Sequence, residues 1–155
     1  MKVTVITISD RASRGIYPDE SGPAIEALLK EHFPTIDIYR ALVPDEEAAI
    51  ISAFEKHTDS DYIFTTGGTG ISKRDVTPEA TQKYCDKELP GIAEVLRAES
   101  YKETPTAIFS RGYAGIKGNT IIINFPGSIK AVRLCTQTVL PAMEHGIKMM
   151  RGEGH

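Results

Sequence analysis

Nine residues, GGTGISKRD (67–75), hold three glycines, two adjacent cations and an aspartate. Glycines that follow a strand accept positive φ and let backbone N–H groups close on an anion. Gly67, Gly68, Thr69 and Gly70, with Lys73 and Arg74, therefore suggest a phosphate-binding loop, against the plainer reading of a glycine turn between strand and helix. Neither common nucleotide motif fits: GxGxxG counted from Gly68 requires glycine where Lys73 stands, and a Walker A loop counted from Gly67 requires glycine where Ser72 stands. Asp75 has no evident capping duty, because Thr77 reads as the N-cap of the next helix. Beside Lys73 and Arg74 it is either a surface ion pair or half of a metal–phosphate site. Asp45, in VPDE, reads equally as a helix N-cap or as the other half. At one rim, the two aspartates could hold Mg2+ against a triphosphate while the cations and glycine amides hold its oxygens. Such a site suits phosphoryl or nucleotidyl transfer, which works by positioning and charge neutralisation and needs no protein nucleophile.

No Ser-His or Cys-His constellation competes with that chemistry. Cys85 and Cys135 stand far apart with no CxxC, and His32, His57, His145 and His155 form no HxxxH pair, so a zinc site is not expected and the thiols read as core.

The positioning elements alternate. KVTVITI (2–8) reads as a strand, 22–33 as a helix with Ile25, Leu28 and Leu29 on one face, 35–43 as a strand, 45–57 as a helix with Ile50, Ile51 and Phe54, and 61–66 as a strand. Thr77-Pro78-Glu79 opens a helix to about residue 88; Pro90-Gly91 interrupts it, and Ile92, Val95 and Leu96 carry helix on to about residue 102. A hairpin is expected from 106–110 and 119–125 around GYAGIKG, then a helix over 128–150 kinked at Pro141, then a frayed RGEGH tail. Alternation predicts an α/β domain spanning 1–155, with a mostly parallel sheet covered on both faces. In such sheets ligands bind beyond the carboxyl ends of the strands, where SDRASRG, PDEE, the glycine loop and PGS all fall.

With 155 residues and a formal net charge of −3, the chain offers no general basic field, which argues against nucleic-acid binding. It has no apolar run near the roughly 18 residues of a membrane span. An N-terminus that enters a β-branched run directly, with no secretory signal pattern, points to the cytoplasm.

TTGGTG followed by RDVTPEAT, with SDRASRG upstream, VPDE between and SRGYAGIKGNTIIINFPGS downstream, resembles the molybdopterin-binding family that contains the MogA-type molybdopterin adenylyltransferases. GGTG alone is weak; four motifs in this order, over nearly the whole chain, are specific to the superfamily. The resemblance implies a three-layer α/β/α fold with a mixed, mostly parallel sheet, usually a homotrimer. It implies transfer of AMP from Mg-ATP to molybdopterin, giving adenylyl-molybdopterin and pyrophosphate, with hand-over to a molybdenum-inserting transferase. It assigns Asp45 chiefly to Mg-ATP, and Asp75 to metal or pterin-phosphate positioning. It also implies substrate roles for Ser9, Asp10 and Arg11 in the first loop, for Gly67, Gly68, Thr69 and Gly70 in the glycine loop, for Ser100 and Ser110 at the pterin, and for Asn124, Pro126 and Gly127 on the nucleotide side. Ser128 is counted with that side, and Lys73 and Arg74 read from their type and place either as phosphate contacts or as holding Asp75. Ile129 departs from the PGxP found in many members. Three rivals share the fold: a catalytically silent MoaB-type pterin binder, some of which lack the two aspartates; a scaffold module; and a molybdenum-inserting transferase, whose added domains have no room here.

Overall fold

The computed structural model describes residues 1–153, so the last two residues of the expected frayed tail lie outside the described residues. In chain order the elements are β1 (Lys2–Ile8), the single turn α1 (Asp10–Ser13), α2 (Ser21–His32), β2 (Asp37–Val43), α3 (Glu47–Lys56), β3 (Tyr62–Thr66) and α4 (Thr77–Tyr84). There follow β4 (Lys87–Glu88), α5 (Pro90–Glu103), β5 (Ala114–Lys117), β6 (Thr120–Phe125), α6 (Ile129–Val139) and α7 (Met143–Met150). The sheet order is β2-β1-β3-β6-β5-β4, with the first four strands parallel and β5 and β4 antiparallel additions.

The central strands are apolar on both faces because helices cover both. Val3, Val5, Tyr62, Phe64, Ile121, Ile123 and Phe125 point to one side, where they meet Ile25 and Leu29 of α2 and Val132, Cys135 and Val139 of α6. The alternate residues Ile6, Ile8, Ile63 and Ile122 meet Ile50, Ala53 and Phe54 of α3 and Ala80 of α4 on the other side. This period of two across a buried sheet gives the three layers expected from the alternating elements. Cys135 is buried and Cys85 half-buried, and both are free.

Two expectations fail locally. Helix α4 stops at Tyr84 rather than near residue 88, and Lys87–Glu88 pair as a short strand with Ile116 and Gly115 of β5. Residues 106–109 lie in a 3-10 turn begun by Pro105, not in a strand; the hairpin is β5–β6, with Lys117 opposite Thr120. Its two-residue turn, Gly118-Asn119, places Gly118 at φ +57°, the glycine-first arrangement that joins right-twisted strands tightly. Pro141 divides the last helix as expected, with a 3-10 turn at Leu140–Ala142 between α6 and α7.

Candidate active site

The four parallel strands end side by side, and the chain leaving each of them builds one rim. Gly67, the first residue after β3, is wedged between two neighbours: its N–H donates to Phe125 O at 3.1 Å, and a Cβ there would drive into Ile8 O. With φ +100°, only glycine fits this place. Gly68, at φ +68°, runs so close to its surroundings that a Cβ would overlap Thr77 Oγ1 and meet Asp45 Oδ1 at 3.0 Å. The glycines therefore bring loop backbone against a carboxylate as well as turning the chain.

Thr77 holds this loop rather than capping α4. It is the first helical residue, and its buried hydroxyl donates to Gly67 O at 2.9 Å while its N–H donates to Gly68 O at 3.1 Å. Asp45 is likewise no helix cap. Its carboxylate accepts the Asp10 N–H at 2.9 Å, and Asp10 returns the bond by accepting the Asp45 N–H at 3.0 Å. This reciprocal pair joins the β1 and β2 loops. Arg74 then grips Asp10 with both arms of its fork, Nε to Oδ2 and Nη2 to Oδ1, each at 2.9 Å. Arg74 therefore holds Asp10, not its neighbour Asp75. Asp75 accepts the Ser72 N–H at 3.0 Å, closing its own loop.

These bonds set the charge states. Burial pushes the Asp45 carboxyl up from its ordinary value against the pull of the Asp10 N–H, and the Asp10 and Asp75 carboxylates add to the rise. Arg74's hydrogen bonds hold Asp10 below the ordinary carboxylate value. On the far side, burial raises the Cys135 thiol to about 11, so it stays neutral.

Two cavities open on this rim. The first, of about 700 Å3, is lined by Ser9, Asp10, Arg11, Asp45 and Arg74 together with Tyr17, Asp19 and Glu20. The second, of about 560 Å3, is lined by Thr69, Gly70, Ser100, Ser110, Asn124, Pro126 and Ser128, with Ala93, Leu96 and Phe109 as apolar wall. Gly67, Gly68, Asp75 and Gly127 line both, so they form the partition between them.

The residues read from the sequence thus converge, with differences. Lys73 is exposed and lines neither cavity. Asn124, Pro126 and Ser128 were expected apart from Ser100 and Ser110 but share their cavity. The Asn124 side chain is spent on the fold, because Oδ1 accepts the Tyr113 N–H at 3.1 Å and Nδ2 donates to Thr65 and Thr81 at 3.0 and 2.9 Å. Ser128 is the cap of α6, accepting the Ala131 N–H at 3.2 Å, and Ser9 caps α1 through the Ala12 N–H at 3.1 Å. Ile129, in place of the family's second proline, is the first residue of α6, a position where proline is also at home, and it lines the first cavity.

Sequence reasoning missed Asp19, whose carboxylate accepts Thr7 Oγ1 at 2.8 Å and the Gly22 N–H at 3.1 Å inside the first cavity. It also missed Arg111 and the loop-holding role of Thr77. Arg111 directly follows Ser110 in the SRG triplet, which was the available signal.

Among the described residues no group of three or more His, Cys, Asp and Glu side chains is placed to hold a metal by itself. Asp45 and Asp75 face one cavity, and their mutual repulsion is what a divalent cation relieves. Mg2+ asks for one or two carboxylates plus phosphate oxygens and waters, so the donor set fits a metal that arrives with a nucleotide.

Comparison with known proteins agrees with this geometry. Residues 4–145 match the family model described as "Probable molybdopterin binding domain". The chain is 44% identical over 154 residues to the molybdopterin adenylyltransferase of Helicobacter pylori, covering 97% of this chain and 88% of that one. It superposes on a solved MogA with a TM-score of 0.91 at 33% identity, covering 97% and 99% of the two chains. It also superposes on the molybdopterin biosynthesis enzyme MoaB of Thermus thermophilus with a TM-score of 0.87 at 38% identity, covering 97% and 96%. By sequence along nearly its whole length and by fold, this chain belongs to the molybdopterin-binding domain family of the MogA and MoaB type.

Proposed function

We propose that this protein acts in molybdenum cofactor biosynthesis as a nucleotidyltransferase, moving AMP from ATP to the terminal phosphate of molybdopterin and releasing pyrophosphate. The observation that carries this reading is the pair of cavities divided by Gly67, Gly68, Asp75 and Gly127, which lets two phosphate-bearing substrates meet at one wall. The 44% identity to a protein named for this activity supports the same reaction.

The carboxylate-rich first cavity takes Mg-ATP. The second takes the pterin, with Ser100 and Ser110 hydroxyls at its edge and Ala93, Leu96 and Phe109 along its face. A phosphate oxygen of molybdopterin attacks the α-phosphorus of ATP. The new P–O bond forms as the bond from that phosphorus to the oxygen bridging the β-phosphate breaks, and pyrophosphate leaves with the electron pair. Mg2+ bound with the nucleotide supplies charge neutralisation on the phosphates. Asp45 and Asp75 are the residues that would hold it. Arg74 fixes Asp10, and Asp10 fixes the Asp45 loop, so the Asp45 carboxylate is set before substrate arrives, while the Ser72 N–H holds that of Asp75. The glycine backbone admits phosphate close to the partition, and Ser9 and Arg11 line the nucleotide side.

The family resemblance supports a homotrimer, a cytoplasmic location, a chain working as one domain, and hand-over of the product to a molybdenum-inserting transferase. No helix among the described residues is long and apolar enough to cross a membrane.

The test is incubation with Mg-ATP and molybdopterin, followed by measurement of pyrophosphate and adenylylated pterin. Product is expected from the wild type, whereas Asp45→Asn and Asp75→Asn keep the fold and lose product. Unchanged turnover by either variant removes that residue from the assignment. Tight pterin binding by the wild type without product would overturn the transferase in favour of a silent, MoaB-type binder.

A further inference from the structure

Arg111 spends its whole guanidinium on one short segment. Nε donates to Gly70 O at 2.8 Å, Nη2 to Asp75 O at 2.8 Å, and Nη1 to both Glu79 oxygens at 2.9 and 2.7 Å. Its backbone N–H adds a bond to Thr69 O at 2.8 Å. The two carbonyls it grips begin and end the 70–75 segment, and Glu79, on the first turn of α4, anchors the grip to the body of the fold. The chain neighbours of Arg111, Ser110 and Gly112, line the second cavity, and Gly112 O accepts Arg97 Nη1 at 2.8 Å from α5. One residue therefore ties the pterin-side wall to the backbone of Asp75.

We propose that Arg111 is a positioning residue that clamps the 70–75 loop, so that the Asp75 carboxylate stays on the partition and its placement is coupled to occupancy of the Ser110 side of the second cavity. The proposal rests on the nucleotidyltransferase reading for its kinetic part only. Arg111 lines neither cavity, so it acts on the reaction through Asp75 and not by touching substrate. Four acceptor atoms spread around one side chain match a guanidinium fork; a lysine ammonium keeps the charge but cannot reach Gly70, Asp75 and Glu79 together.

The experiment compares wild type, Arg111→Lys and Glu79→Gln by amide hydrogen exchange and by steady-state AMP transfer. In Arg111→Lys, exchange is expected to quicken over residues 69–75 and 110–112 and to stay as in the wild type over β1, β3 and β6. Its kcat is expected to fall at least about tenfold, with KM for ATP within about twofold, the pattern of lost alignment. Glu79→Gln keeps the two carbonyl bonds and is expected to show a smaller change in the same direction. Adding molybdopterin should slow exchange over 70–75 in the wild type and do so less in Arg111→Lys.

Wild-type exchange and kcat in Arg111→Lys would overturn the clamp. A raised KM for molybdopterin at unchanged kcat would also overturn it, because Arg111 would then be contributing uniform substrate binding. Loss of cooperative melting in Arg111→Lys would do the same, by making the residue a general stabiliser. A wild type that makes no product sinks the transferase reading, while the exchange measurements still decide the clamp.

Discussion

Replacing Gly68 with alanine tests the claim that glycine at this point brings the loop backbone against Thr77 and Asp45. At φ +68° an alanine sits in the left-handed region, which costs about 1–2 kcal/mol. Its Cβ would overlap Thr77 Oγ1, so that hydroxyl must swing away and abandon its 2.9 Å bond to Gly67 O inside the protein. A buried group left unsatisfied costs about 1–3 kcal/mol more. The expected loss is roughly 2–5 kcal/mol, which for a chain of this size lowers Tm by on the order of 10 °C. Gly118→Ala is the comparison, because its φ of +57° carries the same backbone cost while nothing lies within 4 Å of the added carbon. Thermal melts of Gly68→Ala, Gly118→Ala, Thr77→Ala and the Gly68/Thr77 double variant give the answer. Removing the Thr77 hydroxyl should reduce the cost of Gly68→Ala to about the backbone part, leaving about 1–3 kcal/mol of coupling between the two sites. Because the same Cβ stands 3.0 Å from Asp45 Oδ1, AMP transfer should fall further in Gly68→Ala than in Gly118→Ala. Equal losses of stability at Gly68 and Gly118, or strict additivity with Thr77→Ala, would refute the close-approach reasoning.

The raised Asp45 carboxyl makes two pH statements. Transfer needs its charged form, so the acid limb of kcat/KM should lie above that of an ordinary carboxylate; added Mg2+ offsets the repulsion from Asp10 and Asp75 and should move the limb toward acid. A carboxyl raised in the folded state binds its proton more tightly there than in the unfolded chain. Its stability contribution is therefore full below the unfolded pKa and is lost as pH rises through the folded one. Asp45→Asn keeps an acceptor for the Asp10 N–H, so its Tm should gain on the wild type as pH rises through that window; a Tm difference flat with pH would reject burial as the source of the shift. The homotrimer is tested by light scattering of the dilute native protein, where a stable monomer would reject it.

Much of the fold was readable from residue order. The runs at 2–8, 61–66 and 119–125 became the buried strands Lys2–Ile8, Tyr62–Thr66 and Thr120–Phe125, and the polar clusters after them became the rim, because a parallel sheet brings its carboxyl ends together. The short elements were not readable. β4 is two residues long and β5 contains Gly115, so neither carries a periodic signal; β5 forms on the edge that β6 offers, and β4 on the edge that β5 then offers. Asp45 and Thr77 looked like helix caps because caps are local patterns. The actual partner of Asp45, the Asp10 N–H, comes from the end of another strand, and that of Thr77, Gly67 O, from the far end of its own β3–α4 connection.

The sequence by itself determined the alternation of elements, the glycine loop and the two aspartates whose types suit a metal-bound nucleotide, since these depend on residue type and spacing alone. Only the tertiary structure decided which charges pair. Arg74 passes over the adjacent Asp75 and reaches Asp10, 64 positions away, because only there does its fork meet both carboxylate oxygens. Likewise Arg111 finds the loop it clamps 36 to 41 positions upstream, where packing of α4 and the 110–112 segment brings Gly70 O and Asp75 O within reach of one guanidinium.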